Sequence, residues 1–551
     1  MVNHLYYGDN LPVLRESIAD ASVDLIYLDP PFNSNASYNV LFKGPGGTDS
    51  PAQIEAFDDT WHWTDAAEAT YGEVLQSGNR DAAELLRAMR VFLGENDMMA
   101  YLAMMAIRLL ELRRVLKDTG SLYLHCDDTA SHYLKLLMDS IFGPVAYRNE
   151  VIWKRTSNHN DAGRFGRVAD RLLFYGAGIN RDAVRVPLDP DYVRQFYRYD
   201  DDDGRGPYQR GDMANPSRIW PGGVYEWKGY PPPPKGWRYK QAHMAELDEQ
   251  GRIHYPTKAD GTPDYSKRPR LKRYLDANPG QVPLDVWTDI KPIGAHAAER
   301  LGYPTQKPVA LLERIIRASS NEGDLVLDPF CGCGTTVHAA EKLGRKWCGI
   351  DITHLAIGLI EKRLRDAFPR VAFTTHGVPR DIAGARDLAR RGRREGRHYF
   401  EFEKWALSLI NAQPGTLSRR GADKGRGADK GIDGTIYFDR TRRALVSVKS
   451  GENVSVAMIR DLRGVIEREG AEIGIFLTLT SPTKPMTAEA AAAGQFRMEG
   501  FDSAVPRIQI VTIEDALALR DRAVRLPLRR GDTFKRATRE HDKTAQNKMD
   551  L

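Results

Sequence analysis

Leu325-Val326-Leu327-Asp328-Pro329-Phe330-Cys331-Gly332-Cys333-Gly334-Thr335-Thr336 is the stretch whose reading decides the fold. A short apolar run leads into a glycine-rich turn, and the segment from Val337 to Leu343 has helical patterning. A second apolar run, Trp347 to Ile350, ends at Asp351. Strand, tight turn, helix, strand and terminal acid form the layout of a nucleotide-binding crossover. The glycines let backbone approach a ligand, and an acid at the end of the second strand accepts from ribose hydroxyls. The turn reads F-x-G-x-G, without the third glycine of a dinucleotide site, so it points to a different adenosine ligand. Cys331 and Cys333 sit inside this turn without a partner pair at zinc-ligand spacing, which argues against a metal there.

Upstream, Val23–Leu28 reads as a strand that runs directly into Asp29-Pro30-Pro31-Phe32. Neither proline can donate to a ladder, so the strand stops and Asp29 and Phe32 fall on the loop at its carboxyl end. That is where α/β sheets place ligands; an ordinary Asp-Pro-Pro turn is the alternative. A helix is predicted over Leu11–Ile18, a long helical stretch over Glu84–Leu116, a strand over Gly120–His125 and a helix over Thr129–Ile141. Strands follow at Glu150–Lys154 and Arg171–Tyr175, and helices at Val309–Ser319 and His354–Phe368. Residues 46–80 read as a loop with Trp61 and Trp63 as aromatic contacts. The alternation implies a largely parallel sheet covered by helices on both faces.

Between residues 155 and 300 apolar periodicity fades, and Pro, Gly, aromatic and basic residues dominate, as in Tyr225, Trp227, Tyr230, Trp237, Arg238 and Lys240. Such interleaving suits contacts to phosphates and stacking on bases. Equally, the aromatics can staple a small core of the insertion itself. Residues 377–397 read as a solvated basic linker, 398–525 as a second α/β domain, and 526–551 as a basic, disordered tail. In the second domain Tyr399–Ala412 and Val456–Glu469 are predicted helices, and Ile432–Phe438, Ala444–Lys449, Gly474–Leu479 and Ile508–Thr512 are predicted strands. The pair Gly421–Gly425 and Gly427–Gly431 repeats one pentapeptide.

At 551 residues the chain exceeds a single core. Hydrophobic content of 42% with 28% charged residues is that of a globular protein, and no apolar run approaches the roughly 18 residues of a membrane span. Four cysteines argue against a disulfide framework and for a reducing, cytoplasmic setting. The net charge of +5 is mild, but basic clusters at 267–273, 386–397 and 529–548 favour a nucleic-acid partner.

Taken together, these motifs resemble the amino-group DNA methyltransferases of the permuted beta class, in which the catalytic motif precedes the cofactor motif. Asp29-Pro30-Pro31-Phe32 resembles that family's [D/N/S]-P-P-[Y/F/W] element, Asp328 to Gly334 its D-P-F-x-G-x-G element, and Thr305-Gln306-Lys307-Pro308 its T-x-K-P element. The resemblance covers residues 4–370. It implies a Rossmann-like methyltransferase with an inserted target-recognition region, S-adenosylmethionine as cofactor and double-stranded DNA as partner, with a homodimer left open. It further implies Asp29, Pro30, Pro31 and Phe32 as catalytic residues, and Asp328, Phe330, Gly332, Gly334, Thr335, Asp351, Thr305 and Lys307 as cofactor residues. The exocyclic amine of a base is a poor nucleophile. Asp29 and the Pro30 carbonyl would accept its N–H bonds, at roughly 1.5–3 kcal/mol for a charged acceptor. Phe32 would stack on a base flipped out of the duplex. In the family an Asp at the first position goes mostly with adenine N6, and cytosine N4 is the alternative.

Gly431-Ile432-Asp433-Gly434 and Ser447-Val448-Lys449 resemble the Mrr-like branch of restriction-endonuclease-fold domains. The resemblance implies a site of Asp433, Ser447, Lys449 and Glu403, with Asp433 as ligand of a Mg2+ ion. Ser447 stands where the family carries an acid or Gln, so a DNA-binding remnant that reads without cutting is the alternative. So is a wholly non-catalytic DNA-binding protein.

Overall fold

In the computed structural model, the described residues are 2–540 apart from 32–36, 44–48, 59–61, 157–162, 164, 295–296, 302, 304, 395–398, 415–431, 439–441, 452, 501–503 and 528–536. Two compact units emerge, residues 181–284 and the remainder. The larger unit is built on a nine-stranded sheet. Its spatial order is Val286–Trp287, Tyr147–Lys154, Ala169–Gly176, Leu116–Cys126, Val23–Leu28, Leu325–Asp328, Lys346–Asp351, Asn3–Tyr7 and Phe373–His376. Only Ala169–Gly176 runs antiparallel to its neighbours.

Val23–Leu28 shows how the sheet is covered. Leu25 and Tyr27 enter the core beneath helices Val309–Ser319, Thr335–Lys342 and His354–Ala367, while Ile26 and Leu28 enter the core beneath Asn10–Ser17 and Asp97–Val115. Alternating faces of one buried strand thus serve two helical layers. The predicted helical stretch 84–116 is two helices, Arg80–Leu93 and Asp97–Val115. Gly94, at φ 73°, ends the first, and Asn96 caps the second by accepting from the Met99 amide at 2.9 Å. Residues 46–80 are not a plain loop: strand Asp49–Asp58 pairs with Ser37–Lys43, and helix Asp65–Gln76 follows. Trp63 lies under the Arg90 guanidinium; Trp61 lies outside the described residues.

Val23–Leu28 and Leu325–Asp328 are adjacent and parallel, with Leu25 opposite Val326 and Ile26 opposite Leu327. Their carboxyl ends, Asp29 and Asp328, therefore emerge side by side although about 300 residues separate them. The sheet's ligand-binding edge follows from that one pairing.

The 181–284 unit is narrower than the expected insertion, because Ala169–Gly176 and Val286–Trp287 belong to the main sheet. It folds around Met213, Trp227, Tyr230, Trp237, Met244, Leu247, Ile253 and Leu271. Of the two readings of the aromatics, base stacking or a local core, Trp227, Tyr230 and Trp237 follow the second, whereas Lys235, Arg238, Lys240, Lys267, Arg268 and Arg273 are exposed.

The C-terminal part carries a five-stranded sheet in the order Gln413–Pro414, Gly434–Tyr437, Arg443–Lys449, Ile473–Thr478 and Ile508–Thr512. Helix Tyr399–Leu409 packs on one of its faces and Val456–Glu469 on the other. The expected linker carries helix Ile382–Arg394, whose Ala385 and Ala389 are buried in this domain's core: small apolar residues four apart give an Arg-rich segment one buried stripe. Part of the expected disordered tail is also seated, since the Glu540 carboxylate meets His338 Nε2 at 3.2 Å and Lys342 Nζ at 3.1 Å. The repeated pentapeptide lies outside the described residues. Among the described residues no helix is long and apolar enough to cross a membrane.

Candidate active site

The glycine turn forms as the sequence predicts. Gly332 and Gly334 take φ values of 52° and 74°, and a Cβ on Gly334 would stand 2.7 Å from Ile360 Cγ1. Backbone and packing both demand glycine at position 334. Three side chains hold the turn in shape. Asp351 Oδ2 accepts from the Gly332 amide at 2.8 Å, and Asp328 Oδ1 accepts from the Phe330 amide at 3.0 Å. Arg363, buried on helix His354–Ala367, donates to the Cys333 carbonyl at 3.0 Å and to Thr335 Oγ1 at 3.1 Å. Nothing in the sequence pattern flagged this arginine. Cys331 and Cys333 are buried thiols of the turn wall, and burial pushes both up from their ordinary pKa.

A cleft of about 380 Å³ opens over the turn. Asp29, Pro31, Thr305, Lys307, Asp328, Phe330, Gly332, Thr335 and Asp351 line it, so the residues of all three motifs share one cavity. Pro30 is buried beside it, and Gly334 starts the helix below. Phe32 lies outside the described residues. The cleft is rich in acid. Burial lifts Asp328 to about 7, with Asp29 and Asp351 adding repulsion against bonds from Thr336 and Phe330. Burial likewise lifts Asp351 to about 6, against the Thr353 and Gly332 bonds that favour its charge.

At the other end of the cleft, Asp29 Oδ2 accepts from Lys307 Nζ at 2.5 Å, while Asp29 Oδ1 is buried with no hydrogen-bond partner among the described residues. A buried carboxylate oxygen left open costs free energy, so the site is poised for a donor. Below it, Tyr27 Oη lies 2.8 Å from His125 Nδ1, and His125 Nε2 lies 3.1 Å from Asp170 Oδ2; all three residues are buried.

Sequence reasoning passed over the cleft wall formed by Asp9, Asn10, Met104, Arg108 and Tyr303. Asn10 Nδ2 donates to the Pro329 carbonyl at 2.8 Å, and Arg108 donates to Asn10 Oδ1 at 2.6 Å and Asp9 Oδ1 at 2.7 Å. The available signal was Gly8-Asp9-Asn10 at the end of the first strand, the same position that Asp29 and Asp328 occupy on theirs.

The cleft suits a cationic adenosine ligand: a hydroxyl acceptor at Asp351, a tight backbone turn, and carboxylates where positive charge would lie. A predominantly parallel sheet thus carries the glycine turn, with an acid on the neighbouring strand end whose Oδ1 has no partner among the described residues. The chain belongs to the DNA methylase family, whose model matches residues 23–362, and the restriction endonuclease family matches residues 397–504. It is 30% identical over 364 residues to the type II methyltransferase M.EcaI of Enterobacter cloacae, covering 66% of this chain and 69% of that one. It is 29% identical over 356 residues to the StyLTI Mod subunit, a type III restriction-modification enzyme of Salmonella typhimurium, covering 62% of this chain and 50% of that one. Among solved structures, a DNA modification methylase of Thermus thermophilus in complex with S-adenosyl-L-methionine matches at 16% identity and a TM-score of 0.32, over 68% of this chain and 98% of that one.

In the endonuclease-like domain, Asp433 Oδ2 accepts from the Val448 amide at 2.6 Å and from Ser447 Oγ at 3.3 Å, with Lys449 Nζ at 3.9 Å. Asp433, Ser447 and Lys449 are therefore together, and Glu403 stands half-buried on helix Tyr399–Leu409. No group of three or more metal-binding side chains forms among the described residues. Asp433 Oδ2 is thus committed to a backbone amide and a hydroxyl of the protein itself.

Proposed function

We propose that this chain methylates the exocyclic amino group of a base in double-stranded DNA, using S-adenosylmethionine, and that the base is adenine. The observation that carries the reading is Asp29 Oδ1, a buried acceptor without a donor among the described residues, with Asp29 lining one cleft with the glycine turn. Asp351 would accept from the ribose, and the backbone of Gly332–Gly334 would let the cofactor approach closely. When bound, the cofactor supplies a methyl group on a positively charged sulfur; the N–C bond forms as the S–C bond breaks, its electron pair stays on sulfur, and a proton leaves the nitrogen. Asp29 Oδ1 would accept an N–H of the amine, free its lone pair from the ring and take up that proton. The Pro30 carbonyl would take the second N–H, and Phe32 would stack on the flipped base. Orientation of these acceptors in a preformed site does most of the work.

In this reading the 181–284 unit contacts DNA through its exposed Lys and Arg residues, whose phosphate contacts set position along the duplex. The preference for adenine over cytosine N4 rests on Asp29 as the first motif residue. Incubating the protein with DNA and cofactor, then digesting to nucleosides, tests it: N6-methyladenine is expected, and N4-methylcytosine as the product would overturn the base assignment. The endonuclease-like domain is proposed to read DNA without cutting it, because Ser447 stands where the family carries an acid or Gln and Asp433 Oδ2 is engaged by Val448 and Ser447.

A further inference from the structure

Lys307 belongs to an element expected to complete the cofactor pocket, and it lines the cleft, but its ammonium group is bonded to Asp29. It is buried, and its Nζ donates to Asp29 Oδ2 at 2.5 Å and approaches the Thr305 carbonyl at 3.4 Å. The backbone is bent to make this possible. Thr305 takes φ 61°, a left-handed conformation that a β-branched residue adopts only under constraint from its surroundings. That bend brings the 305 carbonyl beneath Lys307 Nζ. A second acid acts on the same ammonium: Asp170, buried and bonded to His125, feels the charge of Lys307. Lys307 is thus held by Asp29 and a backbone carbonyl, while Asp170 has its own ion pair with Arg155 at 3.0 Å.

We propose that Lys307 is a positioning residue for Asp29 and not a ligand of the cofactor, an inference that rests on the proposed methyl transfer. By holding Oδ2, the lysine fixes the carboxylate rotamer and leaves Oδ1 as the oxygen without a bond among the described residues. It also balances the charge of a carboxylate that would otherwise be buried among Asp328 and Asp351. The target amine then meets one oriented acceptor in place of a freely rotating one. Oδ1 takes the proton released from nitrogen while Oδ2 stays on the lysine.

The test uses the full chain and the variants Lys307→Ala, Lys307→Met and Lys307→Arg. Binding of labelled S-adenosylmethionine should match the natural protein in all three. At saturating cofactor and DNA, kcat should fall about 100-fold in Lys307→Ala, the scale of a misplaced catalytic group, with KM for cofactor unchanged. Ethylammonium added to Lys307→Ala should restore part of kcat, and Lys307→Arg should retain more than Lys307→Met. Lost cofactor affinity with a normal kcat at saturation would overturn the proposal, as would no response to ethylammonium. A separate readout needs no turnover: Lys307→Met, Asp29→Asn and the double variant form a cycle on thermal unfolding. Strong non-additivity supports the pairing, and additive Tm shifts refute it. If the natural protein methylated no DNA, the proposed function would fail, while this cycle would still decide whether Lys307 holds Asp29.

Discussion

Replacing Asp328 with asparagine should stabilise the cofactor-free protein at about pH 8, although Asp328 belongs to the cofactor cleft. Its carboxyl is fully buried and titrates at about 7 in the fold, against an ordinary 3.8. For an acid the sign is as follows: the folded state binds the proton more tightly than the unfolded chain, so stability falls as pH rises from near 4 to near 7, and the loss is complete above it. At 1.36 kcal/mol per pH unit, this difference amounts to about 4 kcal/mol. Asparagine keeps the acceptor for the Phe330 amide, and the Thr336 hydroxyl can rotate to accept from its amide group. The folded value of about 7 already includes the bonds from Thr336 and Phe330 that favour the charged form. A net stabilisation of about 4 kcal/mol is therefore expected at about pH 8, vanishing toward pH 4. Urea unfolding of the natural chain and of Asp328→Asn, without cofactor and across this range, measures it. A natural chain whose stability does not decline between about pH 5 and 7, or a variant destabilised equally at every pH, refutes the reasoning.

Cofactor binding should show the complementary dependence. Asp351 and Asp328 titrate at about 6 and about 7 in the empty cleft, and a cationic ligand favours their ionised forms. Affinity should rise through that interval and level off above it, with protons released; calorimetry in buffers of different ionisation enthalpy would detect them, and pH-independent affinity without release would contradict the account. Gly334→Ala should cost about 1–2 kcal/mol for the left-handed backbone alone, and more for the contact with Ile360, with cofactor binding weakened in parallel; unchanged melting and binding would count against the turn geometry. Asp433→Ala should leave methylation intact, and neither it nor the natural chain should cut plasmid DNA with Mg2+; metal-dependent cutting lost in the variant would show that the C-terminal domain is a nuclease.

Local chemistry made much of this fold legible. Val23–Leu28, Val309–Ser319, Val456–Glu469 and Ile508–Thr512 begin and end at the predicted residues, because apolar runs and helical periodicity there coincide with Asp-Pro, Gly and Thr boundaries. Pairings between distant segments were less visible. Lys307 reaches Asp29 across 278 residues, and Arg108 reaches Asn10 across 98; no spacing rule encodes either. Basic composition was misleading at Ile382–Arg394, where two buried alanines decide the structure, whereas at Trp227 and Trp237 the sequence left base stacking and a local core equally open, and the core is what forms. The pairing of Ser37–Lys43 with Asp49–Asp58 was missed although Tyr38, Val40 and Phe42, like Ala52, Ile54 and Ala56, recur at a spacing of two.

The most direct test is single-turnover transfer of labelled methyl from S-adenosylmethionine to duplex DNA by the natural chain and by Asp29→Ala, with cofactor binding measured on both. The prediction is labelled DNA from the natural chain, and from Asp29→Ala normal cofactor binding with transfer reduced by at least about 100-fold. Equal labelling by the two proteins would contradict the claim that Asp29 receives the amine.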